Sequence, residues 1–148
     1  MLTPVALTIL RVVLGFVMAV HGWLKLADFD AWESSLAQLG VPAPTFFAAL
    51  STAAELAGGV GLVVGFLTPI AAFGVLLNML VGIFLVHREN GFLVQNGGFE
   101  YPLILAALAL FFLVRGAGPV SVDRAFFGYR AEEHGRAPRP RLRHEAPA

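Results

Sequence analysis

Chemistry in this sequence has to begin at the ionisable residues that stand inside apolar runs. Glu55 is the only charged residue between Ser34 and Val86, and Arg11, His21 and Lys25 punctuate the first apolar stretch. Each such group costs roughly 2.5–3.5 kcal/mol at the centre of a membrane helix on insertion scales, so it turns toward protein and marks function by default. At 100° per residue, Arg11, Gly15, His21, Gly22 and Lys25 fall within an arc of about 120° on one helix face. Glu55 shares a face with Ser51, Thr52, Gly58 and Gly59, and Gly74, Asn78 and Gly82 make a small-polar-small row. Glycine beside a polar stripe lets a neighbouring helix approach closely. Three helices therefore each turn a small or polar face inward.

Two uses of this cluster stay open. The carboxylate of Glu55 can pair with Arg11 or Lys25 and pin one helix register. Alternatively the cluster binds a ligand headgroup or moves protons, for which a buried His/Glu pair is suited because desolvation and pairing tune such groups. Counting 1.5 Å per residue from the expected span ends, Glu55 lies roughly 14 Å below the outer boundary, His21 roughly 6 Å and Arg11 roughly 20 Å. Glu55 is thereby expected between Arg11 and His21, with Lys25, His87 and Glu100 near the outer surface. His21 and His87, toward the outer side of different helices, could ligate haem or a metal. No fixed-spacing motif such as HExxH supports that, and His87 reads as an interfacial loop residue.

The elements that must position these residues are membrane spans. Charged residues make up 14% of the 148 and hydrophobic ones 57%, where a soluble domain carries about 25% charged residues spread along the chain. The stretch from Phe46 to Val86 has nothing from which to build the polar face a soluble helix needs. Spans of roughly 20 apolar residues fit Val5–Leu26, Phe46–Phe66, Pro69–Val86 and Phe99–Val114. The last is the shortest, and spans if Arg115 snorkels and Glu100 faces protein. The N-terminal run is too long for a signal-peptide core and is broken by Arg11, so it reads as the first span.

Connections complete the outline. Phe66-Leu67-Thr68-Pro69 is a tight turn with proline opening the next helix. In the first loop, Asp30 reads as an N-cap with Glu33 at the third helical position, and Phe29, Trp32, Leu36 and Leu39 repeat at helical spacing until Gly40 and Pro42. The expectation is an all-α, membrane-embedded four-helix bundle with a short interfacial amphipathic helix after the first span. The loop around Asp28, Asp30 and Glu33 is acidic, whereas Arg115, Arg124 and Arg130 follow the last span, so both termini are expected in the cytoplasm of a bacterial cell. Residues 1–130 read as the membrane domain and 131–148, rich in Arg, Pro, Glu and His, as a disordered cytoplasmic tail. The charge asymmetry speaks of topology, not of nucleic-acid binding. With no cysteine the chain has neither a disulfide nor a CxxC pair of its own.

The ordered set of motifs resembles the DoxX family of small four-helix membrane proteins. Leu10-Arg11-Val12-Val13-Leu14-Gly15, then His21-Gly22 and Lys25-Leu26, is similar to that family's opening signature. So are Glu55-Leu56-Ala57-Gly58-Gly59, Gly98-Phe99-Glu100-Tyr101, and the closing Gly116-Ala117-Gly118-Pro119 with Ser121-Val122-Asp123. The resemblance implies association with quinone-linked oxidation or with membrane complexes that handle oxidative stress, and a shared buried cluster of Arg11, His21, Lys25, Glu55 and Glu100; with Asn78 and His87 from the residue reading, these are the expected binding residues. It implies quinone as the ligand, lipid and soluble redox proteins as partners, and leaves homo-oligomerisation open. Whether the chain is itself a membrane subunit of an oxidoreductase stays open too, since no flavin or nucleotide motif occurs. The rival reading is a non-enzymatic scaffold for a partner protein, or a small-solute carrier.

Overall fold

The computed structural model describes residues 2–128, and among them every regular element is helical. Helix α1 runs over Leu2–Ala27, α2 over Phe29–Gln38, α3 over Pro44–Val64 and α4 over Thr68–Gly82. The last continues through a π-helical turn, Ile83–His87, and a 3-10 turn, Arg88–Asn90. Helix α5 spans Glu100–Arg115. Three stretches are long and apolar enough to cross a membrane: Pro4–Ala27, Pro44–Val64 and Thr68–Asn90. Helix α5 carries no charge between Glu100 and Arg115, but its 16 residues reach only about 24 Å at 1.5 Å per residue. The expected tail, 131–148, lies outside the described residues.

Local sequence explains where these helices start and stop. Pro44 and Pro69 lie in the first turns of α3 and α4, where no backbone donor is lost. Gly65 ends α3 in the left-handed conformation with φ 70°, which glycine adopts without a Cβ penalty. Helix α2 begins two residues earlier than its sequence pattern suggests. Asp28, not Asp30, is its N-cap, accepting the Ala31 N–H at 3.4 Å. Glu33 does not close a capping box; its carboxylate accepts the hydroxyl of Thr45 at 2.6 Å and ties α2 to the start of α3. Along α2, Leu36 is buried and Trp32 half-buried, while Leu39, just past its end, is exposed.

Helix α1 packs along α3, α3 along α4 and α4 along α5, while α1 and α5 touch only sparsely. The core they share includes Leu14, Met18, Leu62, Val75, Met79, Ala109 and Phe112. Outward-facing positions are as apolar as the core. Phe16, Ile70, Ile104 and Val114 are all more than half exposed, an arrangement that only a lipid solvent tolerates over a whole surface.

Close glycine contacts set the register of α1 against α3. A Cβ on Gly22 would collide with the backbone of Leu56, one on Gly59 with that of Ala19, and one on Gly15 would sit 2.6 Å from the Gly59 carbonyl oxygen. These pairs make the two helices antiparallel and run α3 about two turns past the C-terminal end of α1. The sequence-based depths assumed that both helices end at one boundary, and this offset is why those depths misplace the cluster.

Candidate functional site

Glu55 is 3% exposed, and its cation is Lys25. The Lys25 Nζ donates to Glu55 Oε1 at 2.7 Å and to Ser51 Oγ at 3.0 Å, and lies 4.1 Å from the centre of the Trp32 ring. Asn78 Nδ2 donates to the same Oε1 at 2.7 Å. Helices α1, α2, α3 and α4 thus meet at one carboxylate oxygen and one ammonium. The register explains why, since the offset of α3 brings Glu55 level with the Gly22–Lys25 turn of α1. Side-chain direction completes the approach. The Cα–Cβ bonds of a helix tilt toward its N-terminus, so Lys25 leans down into the interior and Glu55, on an antiparallel helix, leans up to meet it.

Oε1 is crowded and Oε2 is not. Glu55 Oε2, the Trp32 Nε1 and the Thr52 Oγ1 are buried without a hydrogen-bond partner among the described residues. A buried polar atom left in that state costs about 1–3 kcal/mol, so a cluster holding an unbonded acceptor and two unbonded donors is suited to a polar guest. Lys25 has three N–H donors, of which Ser51 and Glu55 take two.

Arg11 does not reach this site. The same N-terminal tilt carries its guanidinium away from Glu55, to the end where α3 turns into α4. There Nη1 donates to the Ala117 carbonyl and Nη2 to that of Val120 at 2.8 Å. A Cβ on Gly65 would lie 2.6 Å from Arg11 Nη1, and Gly65 is roughly 15 Å along α3 from Glu55. The segment after α5 is therefore strapped across this end. Asp123 completes the strap, accepting the N–H of Leu67 at 2.6 Å and of Thr68 at 2.9 Å. It caps α4 from 55 residues away in sequence, where Leu67, in the left-handed conformation with φ 47°, provides no side-chain cap of its own.

The other nominated residues separate as well. His21 is exposed on the α5 side of α1, its ring centroid 6.2 Å from that of Tyr101, and it makes no side-chain hydrogen bond among the described residues. His87 and Glu100 organise the loop between α4 and α5. The His87 Nδ1 donates to the Gly97 carbonyl at 2.7 Å, and Glu100 Oε1 accepts the Val94 N–H at 2.9 Å. Of the seven, then, Lys25, Glu55 and Asn78 come together. Ser51 stood on the Glu55 face in the sequence pattern. Trp32 and Asp123 were not legible as partners, because their contacts depend on where distant helices dock.

The sequence profile of the DoxX family matches residues 6–88, more than half of the chain. The chain belongs to the DoxX family. That match runs from α1 through α4 and takes in Arg11, Lys25, Ser51, Glu55 and Asn78. Among related proteins, an uncharacterized protein of Haemophilus influenzae is 30% identical over 129 residues, 84% of this chain and 92% of its own length. The Bacillus subtilis protein named "Putative oxidoreductase CatD" is 33% identical over 104 residues, 69% of this chain and 74% of its own. Inner membrane protein YqjF of Escherichia coli is 26% identical over 123 residues, 83% of this chain and 93% of its own. No solved structure matches the chain. Two of the DoxX-like motifs, Gly116–Asp123 and Gly98–Tyr101, form the strap and part of the α4–α5 loop, where Asp123 and Glu100 accept backbone N–H groups.

Proposed function

We propose that this DoxX protein is a four-span component of the bacterial inner membrane that serves a quinone-linked or oxidative-stress redox system. In this reading α5 is the fourth span, α2 lies in the outer interface, and both termini face the cytoplasm. The observation that carries it is the half-satisfied carboxylate of Glu55. One oxygen holds Lys25 and Asn78, and the other is buried with no partner among the described residues. The names of two relatives, an oxidoreductase in one case and an inner membrane protein in the other, point the same way.

A quinone brings a ring with two acceptor oxygens, which takes up two electrons and two protons on reduction. The chain's own residues fit such a headgroup. Lys25 and the Trp32 indole donate to an acceptor oxygen, Asn78 and Ser51 hold Glu55 and Lys25 in place, and Glu55 Oε2 is free to take or give a proton. Trp32 of α2 lies over the Lys25 ammonium and covers part of the cluster. Electrons come from a partner redox protein in this scheme, and the chain handles binding and protons.

Solvent extraction of the protein purified in mild detergent, with an optical spectrum of the extract, tests the reading. Quinone should co-purify with the wild type and be lost with Glu55→Gln while the protein stays folded. An extract without quinone from both would leave the carboxylate as a register pin in a scaffold or carrier.

A further inference from the structure

Between the last turns of α4 and the first turn of α5 the chain folds back on itself. The Phe99 N–H donates to the Gly91 carbonyl at 3.1 Å and the Glu100 N–H to that of Phe92 at 2.9 Å, so the two ends of the loop meet. Inside it, the N–H groups of Asn96 and Gly98 both reach the Leu93 carbonyl, and that of Gly97 reaches Val94. The Gly97 carbonyl accepts from His87 Nδ1 and Asn90 Nδ2, and Glu100 Oε1 takes the Val94 N–H. A Cβ on Gly98 would collide with the Gly91 carbonyl oxygen, so only glycine lets the loop close this tightly. A loop that bonds most of its own N–H groups depends little on water.

What the loop presents outward is apolar. Phe92, Leu93 and Val94 are consecutive and each about half exposed. The Phe92 ring stands edge-on to Phe99, with centroids 5.5 Å apart, and so is fixed in place. The tip also continues the lipid-facing surface of the spans. Phe84 and Leu85 in the π-helical turn below it, and Leu103 and Ile104 in the first turns of α5, are exposed as well. Lipid tolerates such a surface and water does not.

We propose that the α4–α5 loop is a membrane anchor, with Phe92, Leu93 and Val94 inserted at the acyl boundary of the leaflet on its side. This placement is independent of the redox reading and rests on α5 as the fourth span. Helix lengths set the level. The hydrocarbon core is about 30 Å thick, and α5 covers about 24 Å of it. Measured from Arg115 at one boundary, Glu100 stops roughly 6 Å short of the other. The loop sits directly on that first turn, so it fills the missing depth. Its self-bonded backbone suits a site at the edge of the hydrocarbon, and its apolar tip gains by burial there. A soluble partner would have to reach this tip through the headgroups, whereas acyl chains already surround it.

The chain has no cysteine, so a single one carries a nitroxide spin label to a chosen position. Leu93→Cys, Val94→Cys and Ala107→Cys, the last on an exposed position of α5, are labelled in the full-length protein. Each is placed in nanodiscs of phosphatidylcholine and phosphatidylglycerol. Collision of the label with oxygen, which concentrates in lipid, is compared with collision with a water-soluble nickel chelate. All three side chains are exposed, so the labelled proteins should melt like the parent. Oxygen should dominate at Leu93→Cys and Val94→Cys, as it does at Ala107→Cys. Chelate dominating at the first two, with oxygen still dominating at Ala107→Cys, overturns the anchor and leaves α5 as a span. Chelate dominating at Ala107→Cys overturns the span and the anchor with it. Adding Leu93→Asp to the Val94→Cys protein places a charge on the tip and should shift the balance toward the chelate. An unchanged balance would mean that the helices alone hold the tip at that level, which overturns its role as an anchor.

Discussion

The ammonium of Lys25 lies 2.7 Å from Oε1 of Glu55, and the two side chains are 20% and 4% exposed. Lysine and glutamate approach from antiparallel helices whose side chains lean toward each other, so the pair bridges α1 and α3 at one level. Breaking a buried pair from one side is costly because the remaining charge is left uncompensated. Lys25→Met should therefore lower stability by about 3 kcal/mol, the low end for a buried pair, given the partial exposure of the lysine. Glu55→Gln should cost less than about 1 kcal/mol, because the amide oxygen still accepts from Asn78 and Lys25. Unfolding in detergent of the two single variants and the double variant measures both terms. Equal losses from the two single changes would contradict the asymmetry.

At the opposite end, Asp123 and Arg11 hold the strap. Asp123→Ala removes the cap of α4 and should cost about 1–2 kcal/mol. Arg11→Met strands the carbonyls of Ala117 and Val120 and should cost about 1–3 kcal/mol. Since both residues act on one folded segment, the double variant should lose less than the sum of the singles. A melt in detergent gives all three values, and strict additivity would mean that the two ends of the strap are independent.

Glycine positions separate packing from propensity. Gly22→Ala and Gly59→Ala place a methyl group against the backbone of the facing helix and should each cost about 1–3 kcal/mol through forced separation of α1 and α3. Gly82, helical with open space around its absent Cβ, is the control. Gly82→Ala should be neutral or stabilising by up to about 1 kcal/mol. Thermal midpoints rank the three; a harmful Gly82→Ala would show that something packs on that face of α4.

Topology is open to a direct measurement. The acidic residues Asp28, Asp30 and Glu33 and the basic residues Arg115 and Arg124 stand at opposite ends of the helices, from which the positive-inside rule predicts cytoplasmic termini. A reporter active only outside the cytoplasm should be silent when fused after Ala148 and active when inserted at Gly91 in the α4–α5 loop. The reverse pattern would invert the protein and place the Lys25–Glu55 cluster in the inner half of the bilayer.

Much of this protein follows from local sequence. Apolar runs broken only by Arg11, His21, Lys25 and Glu55 dictate long helices, because in lipid the backbone has to bond within its own segment. The cost of a lone charge there turns Glu55 inward whatever its partner, and 3.6-residue periodicity already places Ser51 beside it and Asn78 on a small-residue face of the next helix. Tertiary structure decided which cation answers the carboxylate. Rise per residue gives a depth only when the helix ends are level, and the contacts of Gly15, Gly22 and Gly59 slide α3 about two turns past α1. That offset, with the N-terminal lean of helical side chains, hands Glu55 to Lys25 and sends Arg11 to the strap. Asp123 as a cap for α4 and Trp32 as a cover for Lys25 are long-range contacts of the same kind. No pattern within one helix encodes them, because they exist only once separate helices have docked in register.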